Sequence, residues 1–319
     1  MEAYRITVRQ DGTGMTTTIT EAIELAAEHP RVPVEIMIGA GKYREKLLLT
    51  RNAVTLIGEE GRTVITGDDA ALTLLPEEGR KRGTFRTQTV FLDGADITVK
   101  GITFENTAGF GAKVGQALAV YADGARLRFF DCRFLGRQDT LFTAPLPPTE
   151  VEAGGFLGPK EHAPRSRSVQ YYEDCYIEGD VDFIFGGATA FFERCEIHSL
   201  SRNQEVNGYI TAASTPEEQA FGYVFDHCRF TSDCAPETVY LGRPWRNFAK
   251  VAILHSELGA HIKREGWHDW NKEEAHTGTY FAEYGNTGPG ADCSARVAWC
   301  HPLTEKEAAS YTKKQVIGE

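Results

Sequence analysis

The sequence lacks the short motifs that mark most hydrolase and nucleotide-binding sites. There is no G-x-S-x-G motif, which presents a serine nucleophile in many esterases, and no H-E-x-x-H motif, which binds a catalytic zinc ion. A P-loop and a dinucleotide-binding fingerprint are absent as well. The sequence therefore gives no support to serine-esterase, zinc-hydrolase or nucleotide-dependent chemistry.

Clustered basic charge, long apolar runs and a leader pattern are also missing. The net charge is −11 and the sequence pI is about 5.4, which argues against nucleic acid or an anionic membrane as a partner, because both attract clustered Lys and Arg. No apolar run is long enough to span a bilayer. Residues 1–5 lack the basic and apolar regions of a signal peptide. We therefore expect a cytoplasmic protein, with secretion after removal of a signal as the alternative.

Helical patterns are confined to the two ends of the chain. Thr18 and Glu21 have the spacing of a capping box, and apolar residues follow them at helical period. Thr304 and Glu307 repeat that spacing, which predicts a second helix over 304–311. The sequence between these two helices contains no helical pattern of similar strength.

Short strands and turns fill the middle of the chain. Apolar, β-branched stretches at 34–38, 54–57 and 64–65 are separated by turn residues such as Gly58 and Gly61. The chain has 32 glycines in 319 residues, in keeping with many tight turns. One elongated domain over 1–319 is therefore predicted.

An internal repeat predicts how these strands are arranged. The pattern aromatic-x-x-Cys-x-apolar has its cysteine at four positions, and a related fifth copy carries Ser256 instead. The intervals between copies are 43, 20, 33 and 28 residues, around the repeat lengths of solenoids. We therefore predict an all-β fold, a right-handed parallel β-helix, which is a single-stranded solenoid with short terminal helices. The five copies span 129–134, 172–177, 192–197, 225–230 and 253–258.

The repeated cysteines are predicted to be structural. Free cysteine behaves as a small buried hydrophobe, so one inward position on each coil would form an internal ladder of Cys132, Cys175, Cys195 and Cys228. The total of seven cysteines is odd, and there is no C-x-x-C motif, so a reduced compartment fits best. The other three have no predicted role; they are Cys234, Cys293 and Cys300.

A few polar residues stand within apolar strand sequence, where burial is unfavourable unless they have partners or a function. Asp182 lies in a stretch of large apolar residues, and Asp139, Gln116 and Arg243 lie beside similar strands. Any one of them alone is better explained as a turn residue satisfied by the backbone. The histidines, among them His255, His261 and His268, are more often surface or structural residues than metal ligands, so no metal site and no cofactor are predicted.

Four separate stretches resemble the signatures of the pectin methylesterase (pectinesterase) family. Further similarity occurs at 11–14, 39–46 and 102–109, so the resemblance covers nearly the whole chain in the family's order. One tetrapeptide would be weak evidence, whereas four in order are specific. The four stretches are Gly115-Gln116-Ala117, Gln138-Asp139-Thr140-Leu141, Val181-Asp182-Phe183-Ile184-Phe185-Gly186 and Leu241-Gly242-Arg243-Pro244-Trp245.

The resemblance implies hydrolysis of galacturonate methyl esters in pectin or methylated oligogalacturonides. By this resemblance Asp182 is the nucleophile, and Arg243 hydrogen-bonds and orients its carboxylate. Gln138, with Gln116, donates hydrogen bonds to the oxyanion. Asp139 is the general acid and base, which must be protonated in the first step; a second carboxylate nearby raises its pKa in that direction.

The resemblance also implies an aromatic cleft and shows one departure. Trp245, Phe185 and Phe142 match aromatic residues on which a sugar ring can lie. The two aspartates are 43 residues apart, whereas family members commonly place them about one coil apart. The excess lies in 144–168, which is rich in Pro and Gly and is predicted to be a surface loop that narrows the cleft beside Asp139.

Three other functions remain open at this stage. A pectate lyase shares the β-helix but needs a cluster of acidic calcium ligands beside a base, and no such cluster is evident among the matched positions. A carbohydrate-binding β-helix without turnover would not need all five catalytic positions. Hydrolysis of a different carboxylic ester would use the same site, because neither fold nor site chemistry fixes the acyl group.

Overall fold

The strands form three long parallel sheets that run the length of the molecule, here a computed structural model that describes residues 2–319. Sheet 1 has eleven strands, and each pairs in parallel with the next. In spatial order they are Tyr4–Val8, Val34–Ile38, Val54–Ile57, Ile97–Lys100, Arg126–Phe130, Val169–Glu173, Thr189–Glu193, Tyr223–Asp226, Lys250–Leu254, Tyr280–Tyr284 and Cys300–Pro302.

Sheets 2 and 3 complete each coil. Sheet 2 has eight strands: Gly41–Tyr43, Thr63–Gly67, Thr103–Asn106, Arg133–Leu135, Tyr176–Gly179, Glu196–Ser199, Arg229–Ser232 and Glu257–Leu258. Sheet 3 has seven strands: Leu47–Leu49, Val90–Leu92, Val120–Ala122, Leu141–Thr143, Val181–Gly186, Gly208–Ala213 and Val239–Gly242. One antiparallel hairpin, Leu74–Leu75 with Arg80–Lys81, lies outside these sheets. The predicted parallel β-helix is confirmed.

The helices are short, and both predicted capping boxes are present. Thr18 caps the helix Ile19–Ala27, whose buried residues close the N-terminal end of the core. Thr304 caps Glu305–Ala308, which ends three residues before the predicted limit because a turn at 309–312 separates it from an unpredicted helix, Lys313–Ile317. The remaining helices are Gly111–Val114 and Ala275–Gly278, with 3₁₀ turns at Thr84–Arg86, Pro289–Ala291 and Cys293–Ala295.

The predicted cysteine ladder lies at the corner between sheets 1 and 2. Its four thiols are at most 2% exposed, and each contacts a carbonyl oxygen of the preceding coil, as Cys175 Sγ contacts Phe129 O at 3.5 Å. All seven cysteines are free. Ser256 occupies the next position in the ladder, where its hydroxyl donates to Leu254 O at 2.8 Å.

The residue before each of these positions has left-handed backbone, which the sequence analysis did not foresee. Five non-glycine residues adopt φ between 48° and 54°, and all five are exposed: Asp131, Asp174, Arg194, His227 and His255. We call these five residues the corner column. Because an L-residue is strained there, the sharp corner is maintained by packing on either side. Within the core, the rings of Phe129, Tyr172, Phe192 and Phe225 stack at 4.5–4.8 Å.

The insertion at 144–168 leaves the solenoid without disturbing it. It begins after Leu141–Thr143 in sheet 3 and returns at Val169–Glu173 in sheet 1. Strands on both sides keep their register, since Leu141 pairs with Ile184 and Phe129 with Tyr172. The long loop predicted between the two aspartates is therefore present.

Candidate active site

Asp139 and Asp182 lie on neighbouring coils despite the 43 residues between them. The register that pairs Leu141 with Ile184 in sheet 3 aligns the two aspartates, two residues earlier on each coil. The amide N–H of Asp139 donates to Val181 O at 3.0 Å, which connects the two backbones beside the carboxylates. The insertion therefore does not separate the pair in space.

Local backbone irregularity positions both carboxylates. Asp139 has φ 64° and Asp182 has φ 51°, so both are left-handed. Val181 pairs with Tyr209 and Ile184 with Thr211, which leaves one extra residue in the strand that carries Asp182. Such a bulge redirects a side chain out of the regular alternation. Residue Asp182 is 6% exposed and Asp139 is 7% exposed.

Arg243 binds Asp182 through two parallel hydrogen bonds. Its Nε donates to Oδ1 at 2.9 Å and its NH2 to Oδ2 at 2.7 Å. This bidentate geometry fixes the carboxylate plane as well as its charge. Arg243 directly follows Gly242, where a Cβ would lie 2.0 Å from Thr211 Oγ1, so glycine is required for this close approach.

Two aromatic residues that the sequence analysis missed hold the Arg243 guanidinium. Its central carbon lies 3.8 Å from the ring centroid of Tyr209 and 3.6 Å from that of Trp270. A guanidinium between two π faces is stabilised electrostatically and loses rotational freedom. Tyr209 could have been predicted from the sequence, because its strand follows that of Asp182 by one coil in sheet 3. Trp270 could not, because it lies in an irregular segment without a periodic pattern.

The environments of the two carboxyl groups differ in the direction that acid–base catalysis needs. Burial raises the pKa of Asp139 well above its usual value, and the nearby charge of Asp182 raises it further. Burial also raises the pKa of Asp182, but the charge and hydrogen bonds of Arg243 oppose that shift. The pKa of Asp139 is therefore the more strongly raised of the two.

Gln116 and Gln138 face the same cleft with their amides unengaged. Within residues 2–319, neither side-chain amide makes a protein hydrogen bond, and both line the cleft with the aspartates. Gly111 makes room for one of them, since a Cβ there would lie 2.2 Å from Gln138 Oε1. Both amides are thus available to a bound substrate.

The predicted aromatic contacts divide into two groups. Trp245 and Phe185 line the cleft, together with Phe85 and Phe156. Phe142 is fully buried, and its ring is tilted by 48° against that of Phe185 with ring centroids 4.8 Å apart. Its assignment as a substrate contact is therefore corrected, because a side chain with no accessible surface supports the cleft floor and does not touch a sugar.

The insertion forms part of the cleft wall. The cleft is open to solvent and has a volume of about 1190 Å³ when that open space is included; the insertion contributes Val151, Glu152, Gly155 and Phe156 to its lining. The Phe156 ring packs against those of Phe85 and Trp245 at 5.9 and 6.1 Å. Residues of the insertion therefore lie at the cleft that also contains Asp139.

The insertion is held in place at two further points. Lys160 Nζ lies 2.6 Å from Asp93 Oδ1, and NH2 of Arg246 donates to Thr149 O at 2.9 Å. These contacts join the loop both to the end of a sheet 3 strand and to the segment after Arg243.

Two cationic side chains line the same cleft as the aspartates. Lys272 and Arg246 line the cleft, and the Lys272 ammonium donates to Pro244 O at 2.8 Å. Burial and the neighbouring Arg246 lower the pKa of Lys272 to about 8.

Among residues 2–319, no helix is long and apolar enough to cross a bilayer.

Comparison with known proteins identifies the family. The pectinesterase family model matches residues 5–146 and 162–319, so the unmatched segment lies inside the insertion. Pectinesterase 31 of Arabidopsis thaliana is 34% identical over 98% of this chain and 92% of its own length. A second relative, probable pectinesterase/pectinesterase inhibitor 23 of the same plant, is also 34% identical, and this chain spans half of its length.

Solved structures agree. Pectin methylesterase from carrot superposes with a TM-score of 0.83 at 29% identity, covering all of this chain and 94% of that one. A pectin methylesterase in complex with a hexasaccharide gives 0.81 at 28% identity, covering all of this chain and 98% of that one. With a continuous β-helix, a buried Asp pair and a family match on both sides of the insertion, this chain belongs to the pectinesterase family.

Proposed function

We propose that Asp182 and Asp139 carry out the ester hydrolysis of this pectinesterase, on galacturonate methyl esters of pectin or of methylated oligogalacturonides. The family, whose members include pectin methylesterases with a bound oligosaccharide, supplies the reaction class. The observation that most supports the residue roles is the bidentate pair Asp182–Arg243 beside Asp139, which is about equally buried but has no ion-pair partner among residues 2–319.

The first half-reaction would form a covalent intermediate. An oxygen of the Asp182 carboxylate attacks the ester carbonyl carbon, and the carbonyl electron pair moves onto oxygen. Amide N–H groups of Gln138 and Gln116 donate to that oxyanion. As the tetrahedral species collapses, Asp139 gives its proton to the departing methoxy oxygen, which releases methanol and leaves an anhydride between substrate and Asp182.

The second half-reaction would regenerate both groups. Asp139, now ionised, takes a proton from a water molecule that attacks the galacturonate carbonyl of the anhydride. The bond to Asp182 breaks, and its carboxylate is again bound by Arg243. The products are one methanol and one free galacturonate carboxylate, and Asp139 ends protonated as it began.

The test is direct. Purified protein with highly methylated pectin should release methanol and acid in equal amounts, without unsaturated products. The rate should be unchanged by excess chelator, because no step uses a metal. Unsaturated products that disappear when calcium is removed would instead indicate a lyase, and saturable pectin binding without methanol release would indicate a binding protein.

We also propose that the insertion selects for short substrates. Val151 and Glu152 stand at the rim of the cleft, and the loop is fixed by Phe156 and Lys160. A walled cleft accepts the end of a short chain more readily than the middle of a long one. Replacing 144–168 with a short Gly-containing turn should raise activity on long pectin relative to short methylated oligomers.

A milder variant separates this effect from damage to the cleft. Val151→Ser with Glu152→Ser alters the rim but keeps the Phe156 contact with Trp245. It should shift the same activity ratio in the same direction. If the ratio is unmoved in both variants, the loop has no part in length selection.

A cytoplasmic location is proposed on the chemistry of the cysteines. All seven are free, and four form a buried ladder that needs no oxidation. Short imported oligogalacturonides would then be the substrate. Fractionation of the native host with an antibody to this chain tests the proposal, and recovery outside the cytoplasm would contradict it.

A further inference from the structure

Two histidines and an aspartate converge on the outside of the solenoid, at the corner between sheets 1 and 2. His227 and His255 occupy consecutive positions of the corner column, with φ 54° and 48°. Their strands pair in register, Asp226 opposite Leu254, so the imidazoles stack one coil apart with centroids 5.1 Å apart and planes inclined by 32°. The repeat therefore brings two imidazoles to one point on the surface.

Asp226 connects the two rings. Its Oδ1 lies 2.8 Å from Nδ1 of His255, and its Oδ2 lies 3.1 Å from Nδ1 of His227. One ligand atom from each of the three residues can be chosen so that all lie within 4.8 Å of one another. One carboxylate oxygen and two imidazole nitrogens are ligand atoms of the kind that bind transition-metal ions, and an ion held among them would take the place of the Nδ1–H hydrogen bonds.

The surroundings leave the group open to solvent and suited to a cation. The side chains of His227 and His255 are 62% and 42% exposed. The next coil has Gly285 at the same corner, and the Tyr284 ring packs edge-on against His255 with centroids 5.5 Å apart, which still leaves the imidazole accessible. On the other side, Arg194 is already neutralised by Glu173, Asp174 and Glu193.

We propose that Asp226, His227 and His255 form a binding site for a divalent transition-metal ion such as Zn²⁺. Imidazole nitrogen with one carboxylate oxygen suits zinc, nickel or copper, whereas calcium and magnesium prefer all-oxygen sites. The site joins two successive coils, and so a bound ion stabilises the folded chain. It lies at the corner of sheets 1 and 2, whereas the candidate active site lies along sheet 3, so esterase activity does not depend on it.

Sequence reasoning expected no metal site and interpreted His255 as a surface or structural histidine. The structure instead pairs His255 with His227, which is 28 residues earlier and at the equivalent repeat position. The signal was present in the two repeat copies that contain Asp226-His227-Cys228 and His255-Ser256, but it becomes visible only when the copies are aligned by coil.

The experiment is a calorimetric titration of the metal-free full chain with Zn²⁺. The parent should bind one equivalent, and its thermal midpoint should rise with added Zn²⁺. His227→Gln and His255→Gln should each weaken binding by more than about tenfold, and Asp226→Asn by roughly 10–100-fold. Methanol release should be the same in all of these proteins.

Two control variants make the result decisive. His162→Gln removes an 89%-exposed histidine elsewhere on the surface, and Cys293→Ser removes the exposed thiol; both should bind Zn²⁺ as the parent does. The proposal is overturned if the parent shows no saturable binding, if the double variant His227→Gln/His255→Gln binds as well as the parent, or if binding is lost in Cys293→Ser.

Discussion

The corner column and the proposed catalytic pair, Asp139 and Asp182, have the same left-handed backbone conformation in opposite environments. At the corner, left-handed residues point into solvent, and their identities vary freely among Asp, Arg and His. In sheet 3, Asp139 and Asp182 have the same sign of φ, but their carboxyl groups are buried and their pKa values raised. The left-handed conformation is therefore a general feature of this solenoid. What distinguishes Asp139 and Asp182 is their burial and the nearby charge of Arg243.

The largest expected effect comes from the nucleophile. Asp182→Asn keeps the volume but removes the attacking carboxylate, so kcat should fall by at least about 10³-fold with a modest effect on binding. Asp131→Asn is the matched control, because it makes the same change at a left-handed but exposed corner position. Measured methanol release should be unchanged in that variant. Activity of Asp182→Asn within tenfold of the parent would remove Asp182 from its proposed role.

Asp139→Asn should be nearly as damaging, and it tests the division of protonation between the pair. Attack needs Asp182 ionised, so activity rises with pH through the pKa of Asp182; methanol departure needs Asp139 protonated, so activity falls as pH rises through the higher pKa of Asp139. A profile of kcat/KM against pH in the parent should be bell-shaped. The residual activity of Asp139→Asn should lack the alkaline fall, and retention of that fall would assign it to another group.

The oxyanion donors come next. Gln138→Ala removes an amide whose position Gly111 makes possible, and it should lower kcat on the order of 10²–10³-fold. Gln116→Ala should be milder if the two share the oxyanion. Full activity in both single variants would show that neither amide stabilises the developing charge.

The smallest effect on activity is expected in the cysteine ladder. Cys175→Leu adds volume to a fully packed corner and should reduce the free energy of unfolding by about 1–3 kcal/mol, with methanol release retained at temperatures below the transition. Cys175→Ser should be better tolerated, because Ser256 occupies the equivalent position natively. Urea unfolding measures both. A loss of activity in folded Cys175→Ser would mean that the ladder and the cleft are coupled.

The regular part of the molecule was the easier to predict. Repeated segments such as 172–177 and 192–197 indicate successive coils, because equivalent positions of neighbouring coils pack against each other and carry similar residues. The catalytic residues were identifiable as polar groups in apolar sequence and by four family-like motifs. Trp270 and the burial of Phe142 were not, because they depend on which coil or loop a side chain meets in space.

The insertion at 144–168 affects the entropy of bringing the two neighbouring coils together during folding. Between Cys175 and Cys195 one coil takes 20 residues, whereas between Asp139 and Asp182 it takes 43. Loop-closure entropy grows only logarithmically with chain length, so this doubling opposes closure by about 0.6 kcal/mol. The two carboxyl groups can therefore come together in the folded protein whether the segment between them is short or long. Segments of different length and composition can be exchanged at this point, and the cleft wall can diverge while the chemistry beneath it stays in place.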